Sequence, residues 1–108
     1  DFGPTTEQVI ASVAREGYQT VDYPMAQAYA AGVVVQRCLE KAGSADSHDL
    51  REAASSLQFS TFYGNFQIDG ETGRQIGRET LLVQWQDGKR AIVWPQSSRS
   101  SELVYPWH

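Results

Sequence analysis

Asp87-Gly88, set between the runs Glu79 to Gln86 and Lys89 to Trp94, constrains this chain more than any other feature. Asp-Gly readily takes positive φ at both central positions, as a two-residue type I′ turn requires, so the two runs are predicted to pair as an antiparallel hairpin. Such a turn sets Trp85 opposite Arg90, Val83 opposite Ile92 and Leu81 opposite Trp94, leaving one apolar face with a cation–π pairing available near the turn. Leu82 and Val93 make the other face apolar too. A two-stranded ribbon is marginal in water even with one good face. This hairpin is therefore expected to be covered by something else.

The cover has to come from what precedes it. Thr5 stands three residues before Gln8, the spacing of a capping box, and Val9, Ile10, Val13 and Ala14 form the apolar stripe of a first helix that Gly17 is placed to end. Asp22-Tyr23-Pro24 then reads as a loop feeding a second helix, with Pro24 in the first turn, where a missing N–H costs nothing. That helix is predicted to reach about Ala42 and to close at Gly43. Between Met25 and Val35 it is apolar almost all round, so it needs neighbours on more than one side. Asp46 or Ser47 can cap a third helix carrying Leu50, Ala53, Ala54 and Leu57 on one face. Phe59 to Tyr63 is β-prone, Gly64 interrupts, and Phe66 and Ile68 alternate into the turn Asp69-Gly70-Glu71-Thr72-Gly73. After Pro95 a Ser-rich polar stretch leads to Leu103-Val104-Tyr105-Pro106-Trp107-His108, an aromatic end expected to dock on the fold.

Charge and composition restrict the partners. With nine Lys and Arg against thirteen Asp and Glu, the formal charge is −4, and a phosphate-binding surface needs clustered cations. Nucleic acid is not an expected partner. At 41% hydrophobic and 20% charged the chain has ordinary globular composition, and no apolar run approaches the roughly 18 residues of a membrane span. Asp1-Phe2-Gly3-Pro4 carries neither an initiator Met nor a signal peptide, so the start reads as cut. The lone Cys38 can make no internal disulfide and leaves the redox compartment open.

Candidate chemistry is sparse. Ser47-His48-Asp49 has the residue types of a catalytic triad, but three neighbours in sequence do not converge on one another. Cys38 on a packed helix reads as a buried inert thiol rather than a nucleophile served by His48. The stretch from Asp69 to Gly73 lacks the further oxygen ligands of a calcium loop, and two His, one terminal, assemble no transition-metal site. Trp85 and Trp94 read as packing residues rather than a sugar platform. No enzyme, metal or cofactor is expected.

The order of these pieces, AQAYAAG in helix two, then FYGNFQIDGETG from Phe62 to Gly73, then WQDGKRAIVWP, resembles the C-terminal part of the extracellular substrate-binding proteins of ABC importers. The resemblance is to the branched-chain amino-acid (leucine/isoleucine/valine) binding family, and it covers roughly Pro4 to Pro95. It implies an α/β fold, this chain being a fragment of a two-lobed type I periplasmic binding protein: locally three helices, a short strand block and a C-terminal β-hairpin. Residues 1–72 would belong to the first lobe, 73–78 to an interlobe connector, 79–95 to a hairpin of the second lobe and 96–108 to a C-terminal tail. The uncovered helix two and hairpin would then pack on strands that precede Asp1. The function implied is capture of an amino acid or similar small polar ligand by lobe closure, and its delivery to an ABC permease from a periplasmic or cell-surface location. A ligand-sensing domain of the same fold, as in receptors or amide and urea sensors, is the alternative. Tyr23, in the loop before helix two, is the candidate ligand contact; the alternative there is that its ring staples the helix start. The groups that hold the ligand's carboxylate and amine in this family come from earlier in the chain. By itself the chain is expected to bind no amino acid and to self-associate, with exchange of the hairpin across a hinge at Gly73 to Gly77.

Overall fold

The computed structural model describes residues 1–106, so Trp107 and His108 of the aromatic end lie outside the described residues. It is a small mixed α/β chain with three helices and two small antiparallel sheets, in the order α1 (Thr6–Arg15), α2 (Tyr23–Ala42), α3 (Ser47–Ser56), β1 (Gln58–Thr61), β2 (Gly64–Gln67), β3 (Leu82–Gln86) and β4 (Lys89–Trp94). The chain divides into two bodies, Asp1–Arg78 and Glu79–His108.

In the first body each helix begins where its capping residues dictate. The Thr5 side chain accepts from Gln8 N while Gln8 Oε1 accepts from Thr5 N, the reciprocal box expected from the spacing. Asp22 caps α2 by accepting from Met25 N, so the helix starts at Tyr23, earlier than the loop reading of 22–24, and Pro24 falls in its first turn. Gly43 ends α2 at φ +64, a left-handed position that costs glycine little. Of the two candidate caps for α3, Asp46 is the one used, accepting from His48 N and Asp49 N; Ser47 is the first helical residue.

Little of this body is deeply buried. Among the described residues Val9, Ala30, Val33, Cys38 and Ala53 form its core, and Val9, 2% exposed, is the most deeply buried of them, its burial worth about 1.5 to 3 kcal/mol. Ile10, expected on the buried stripe of α1, is half exposed instead. It lies about 100° round the helix from Val9, so a short helix with one packed side cannot bury both.

Phe2, Phe59 and Phe66 stack beside β1 and β2, with ring centroids 5.8 and 5.1 Å apart, and the Arg37 guanidinium from α2 lies 5.2 Å from the Phe2 centroid. Tyr29 meets Phe62 edge-on at 5.7 Å, tying α2 to the hairpin turn. That turn is Phe62-Tyr63, which shortens the predicted strand, and Gly64 does not interrupt the sheet: it opens β2, paired with Thr61. Phe2 N donates to Ser60 O at 2.8 Å, so the N-terminal residues occupy the free edge of β1.

In the second body the hairpin forms at Asp87-Gly88, with φ +50 and +72, as the type I′ reading requires. Val83 faces Ile92 and Trp85 faces Arg90 as predicted, but Trp94 faces Leu82 rather than Leu81. The shift falls between Leu82 and Val83: Val93 is an extra residue on β4, and such a bulge bends its strand. Leu81, Leu82, Val83, Trp85 and Trp94 all remain exposed.

Candidate functional site

The predicted contact, Tyr23, occupies the first position of α2 and its side chain is 77% exposed. A stapling role needs the ring packed against a neighbour, and that degree of exposure leaves little room for one. Asp22 fixes where the helix begins and Pro24 restricts the backbone beside it, so Tyr23 projects from a rigid helix end.

At the same end of α2 lies an apolar hollow of about 190 Å³, lined by Ser12, Val13, Glu16 and Tyr18 from the end of α1 and beyond, and by Met25 and Tyr29 of α2. Its accessible lining is almost entirely apolar, although Ser12, Glu16 and two tyrosines contribute to it. A surface of this kind receives an apolar side chain. It offers no arrangement of acid, base and nucleophile.

A larger groove of about 360 Å³ runs along α2 past Gln27, Ala30, Ala31, Val34 and Val35, with Tyr63, Phe66 and Arg78 among the residues opposite. It marks the side of the all-round apolar helix that the sequence reading required to be covered. Val35 is more than half exposed there.

The remaining candidates resolve into structural roles. Cys38 is buried, and burial pushes its thiol pKa up against the opposing pull of the neighbouring Arg37 guanidinium. A neutral thiol is a poor nucleophile. The His48 backbone is bonded to the α3 cap. In the turn after β2, Asp69 Oδ1 accepts from Thr72 N, Thr72 Oγ1 and Glu71 N at 2.7, 2.8 and 3.1 Å. These bonds hold its carboxyl below the usual carboxylate range, the Thr72 N–H contributing most. Asp69 is thus committed to its own turn. Among the described residues no three His, Cys, Asp or Glu side chains gather as a metal site.

Within residues 73–78, read from sequence as an interlobe connector, Gln75, Ile76 and Gly77 are fastened to β2. Ile76 N and Gly77 N donate to Gln67 O at 2.7 and 3.2 Å. Gln75 Oε1 accepts from Gln67 N at 3.0 Å and from Gly77 N at 2.8 Å. Arg78 completes the strap, its guanidinium 4.5 Å from the Tyr63 ring centroid and its Nη1 donating to Tyr63 O at 3.0 Å. The first body ends at Arg78.

No family model matches the chain, and no solved structure matches it.

Proposed function

We propose that this chain is the C-terminal portion of a solute-binding protein of an ABC uptake system, of the branched-chain amino-acid binding family. It captures an amino acid or similar small polar ligand between two lobes and hands it to a membrane permease. The observation that carries the reading is the apolar surface left open on each body, beside the sequence block from Phe62 to Gly73 that resembles the family. Two separate compact bodies of these lengths would together expose about 7,000 Å²; the chain exposes 8259 Å². Val35 beside the α2 groove and Leu81, Leu82, Val83, Trp85 and Trp94 of the hairpin and its approach are among the exposed large apolar residues, on elements that further strands of such a lobe would cover. Division of the chain after Arg78 agrees with a lobe crossing there. Closure on the ligand is then a two-state equilibrium biased by ligand contacts, and Tyr23 contributes one of them from the rim.

The test is calorimetry on the protein of the complete reading frame against a panel of amino acids and their amides. A saturable one-to-one signal is expected, and Tyr23→Ala should weaken it by about 1 to 3 kcal/mol while leaving thermal unfolding of the ligand-free protein nearly unchanged. Absence of binding to every member of the panel refutes the transport reading. Unchanged affinity with lowered stability removes Tyr23 from the site and restores the staple.

A further inference from the structure

The tail beyond β4 is held in an unusual way. Ser100 N and Ser101 N donate to Ile92 O at 2.9 and 3.2 Å, and Ile92 N donates to Ser100 Oγ at 2.9 Å, so the outer edge of β4 is closed by the tail. Farther along, the Gln84 carboxamide takes both main-chain groups of Val104, donating from Nε2 to its O at 2.9 Å and accepting from its N at Oε1 at 3.0 Å. Gln86 Nε2 donates to Glu102 O at 2.7 Å and to Gln84 Oε1 at 2.8 Å. Its Oε1 accepts from Ser101 Oγ. Gln84 and Gln86 are two apart on one face of β3, and they read two residues two apart on an extended segment. The row is a side-chain copy of a strand ladder.

Apart from the bond between the two carboxamides, every one of these bonds addresses main chain or a serine hydroxyl. Leu103 and Tyr105 are 61% and 88% exposed, so little apolar burial ties the tail to its own hairpin. We propose that the Gln84–Gln86 row and the outer edge of β4 at Ile92 form a docking site for residues 100–104 of a second copy of this chain, two copies exchanging tails reciprocally. The occupant is fixed by the structure, in which this same segment is seated there in cis, and an exchanged element reuses the contacts it already makes. The segment that must open is the single 3-10 turn Gln96–Ser98, closed by Ser98 N to Pro95 O at 3.0 Å and Arg99 N to Gln96 O at 3.4 Å. The Arg99–Glu102 ion pair lies within the tail and travels with it.

Two further features favour a second copy. Residues 79–108 contain Lys89, Arg90 and Arg99 against Glu79, Asp87 and Glu102, so this body is charge-balanced and its self-association meets no net repulsion. Leu81, Leu82, Val83, Trp85 and Trp94, exposed on the same body, offer apolar surface that cis docking of the tail leaves in water and that, in the 108-residue chain without the further strands of the proposed lobe, a partner copy can bury. The tail's tether to its own hairpin gives cis docking an effective concentration of millimolar order. Exchange is therefore expected to be concentration-dependent.

The experiment uses the full 108-residue chain. Sedimentation of the wild type should show a dimer fraction growing toward about 1 mM, the scale set by the tether, and the pair Gln84→Ala with Gln86→Ala should return the chain to monomer. Deleting Ser97 and Ser98 removes two of the three residues of the 3-10 turn that returns the tail in cis, and should lower the dimer dissociation constant at least about tenfold. The site is identified by mixing ¹⁵N-labelled wild type with unlabelled chain carrying Cys38→Ala and a nitroxide on Leu103→Cys. The Gln84 and Gln86 side-chain amides and the Ile92 backbone amide of the labelled copy should broaden. A wild type that stays monomeric throughout overturns the proposal, and so does a dimer in which those three signals remain sharp.

Discussion

Gly77→Ala tests the strap most directly, because no other substitution of one hydrogen by a methyl meets so much backbone. A Cβ at Gly77 would lie 2.7 Å from Gln67 N, 2.9 Å from Asn65 O and 3.0 Å from Gln75 Oε1. Neither backbone atom can swing aside as a side chain would, so the strap must lift from β2. Three bonds cross that gap, Ile76 N and Gly77 N to Gln67 O and Gln67 N to Gln75 Oε1. Each is worth about 0.5 to 1.5 kcal/mol net, and partial exposure places them toward the lower end, for a combined loss of about 1.5 to 3 kcal/mol. Removing a glycine from the unfolded chain returns about 0.5 kcal/mol, so the expected destabilisation is about 1 to 2.5 kcal/mol. Gly70→Ala is the control: its Cβ would meet only the Ser55 side chain, at 3.7 Å, and the variant should be unchanged or up to about 1 kcal/mol more stable. Urea unfolding gives the free energies, and hydrogen exchange at Gln67, Ile76 and Gly77 locates the loss. A Gly77→Ala chain as stable as wild type, with those amides equally protected, would refute the close approach of strap and strand.

Two titratable groups carry pH predictions. The folded pKa of Asp69 is depressed below 3.8, so its contribution is present above the unfolded value and is lost as pH falls through the folded one. A carbon-detected titration should place its midpoint below 3.8 with the Thr72 amide shifting in step, and Asp69→Asn should abolish that shift. The folded pKa of Cys38 is raised above 9.0, so the unfolded chain ionises first and stability falls as pH rises past that value. Cys38→Ser should remove this alkaline loss, and labelling of the native thiol by a disulfide reagent should be slower than labelling of the urea-unfolded chain by at least about a hundredfold.

What could be read in advance was local. A capping box at Thr5, a left-handed stop at Gly43 and a type I′ turn at Asp87-Gly88 each depend on residues within four positions of one another, and each formed as the residue types require. The hairpin register followed from its turn as far as Val83 and Ile92, and the bulge then displaced Trp94 by one place. The tail was expected to dock, but how it and the strap are fastened was not legible, because glutamine carboxamides take part in both. Gln75, Gln84 and Gln86 satisfy distant main-chain groups without leaving any hydrophobic period in the sequence. Of the candidate site, Tyr23 was read into the loop before α2 and instead takes the helix's first position; the hollow lined by Val13, Tyr18, Met25 and Tyr29 was not foreseen, since it depends on how α1 and α2 pack.

On the proposed reading, the strap also relocates the freedom that lobe closure needs. With Gln75, Ile76 and Gly77 bonded to β2, only Glu79, Thr80 and Leu81 remain between Arg78 and the start of β3, and three extended residues span about 10 Å. On the proposed reading this crossing is a short tether rather than a loose linker, and Arg78 sets its length. Its guanidinium lies over the Tyr63 ring and donates to Tyr63 O, while its methylenes press on Gly64, where a Cβ would sit 2.7 Å from Arg78 Cδ. Arg78→Ala removes an exposed cation–π contact and one hydrogen bond, together worth about 1 to 2 kcal/mol. If that energy holds the strap, exchange at Ile76 and Gly77 should accelerate about 5- to 30-fold while the amides of α2 keep their rates. Arg78→Lys retains the charge but loses the planar fork, and should fall between the two. Equal acceleration across α2 would mean that Arg78 supports the whole body, and unchanged exchange at Ile76 would mean that Gln75 fastens the strap without it.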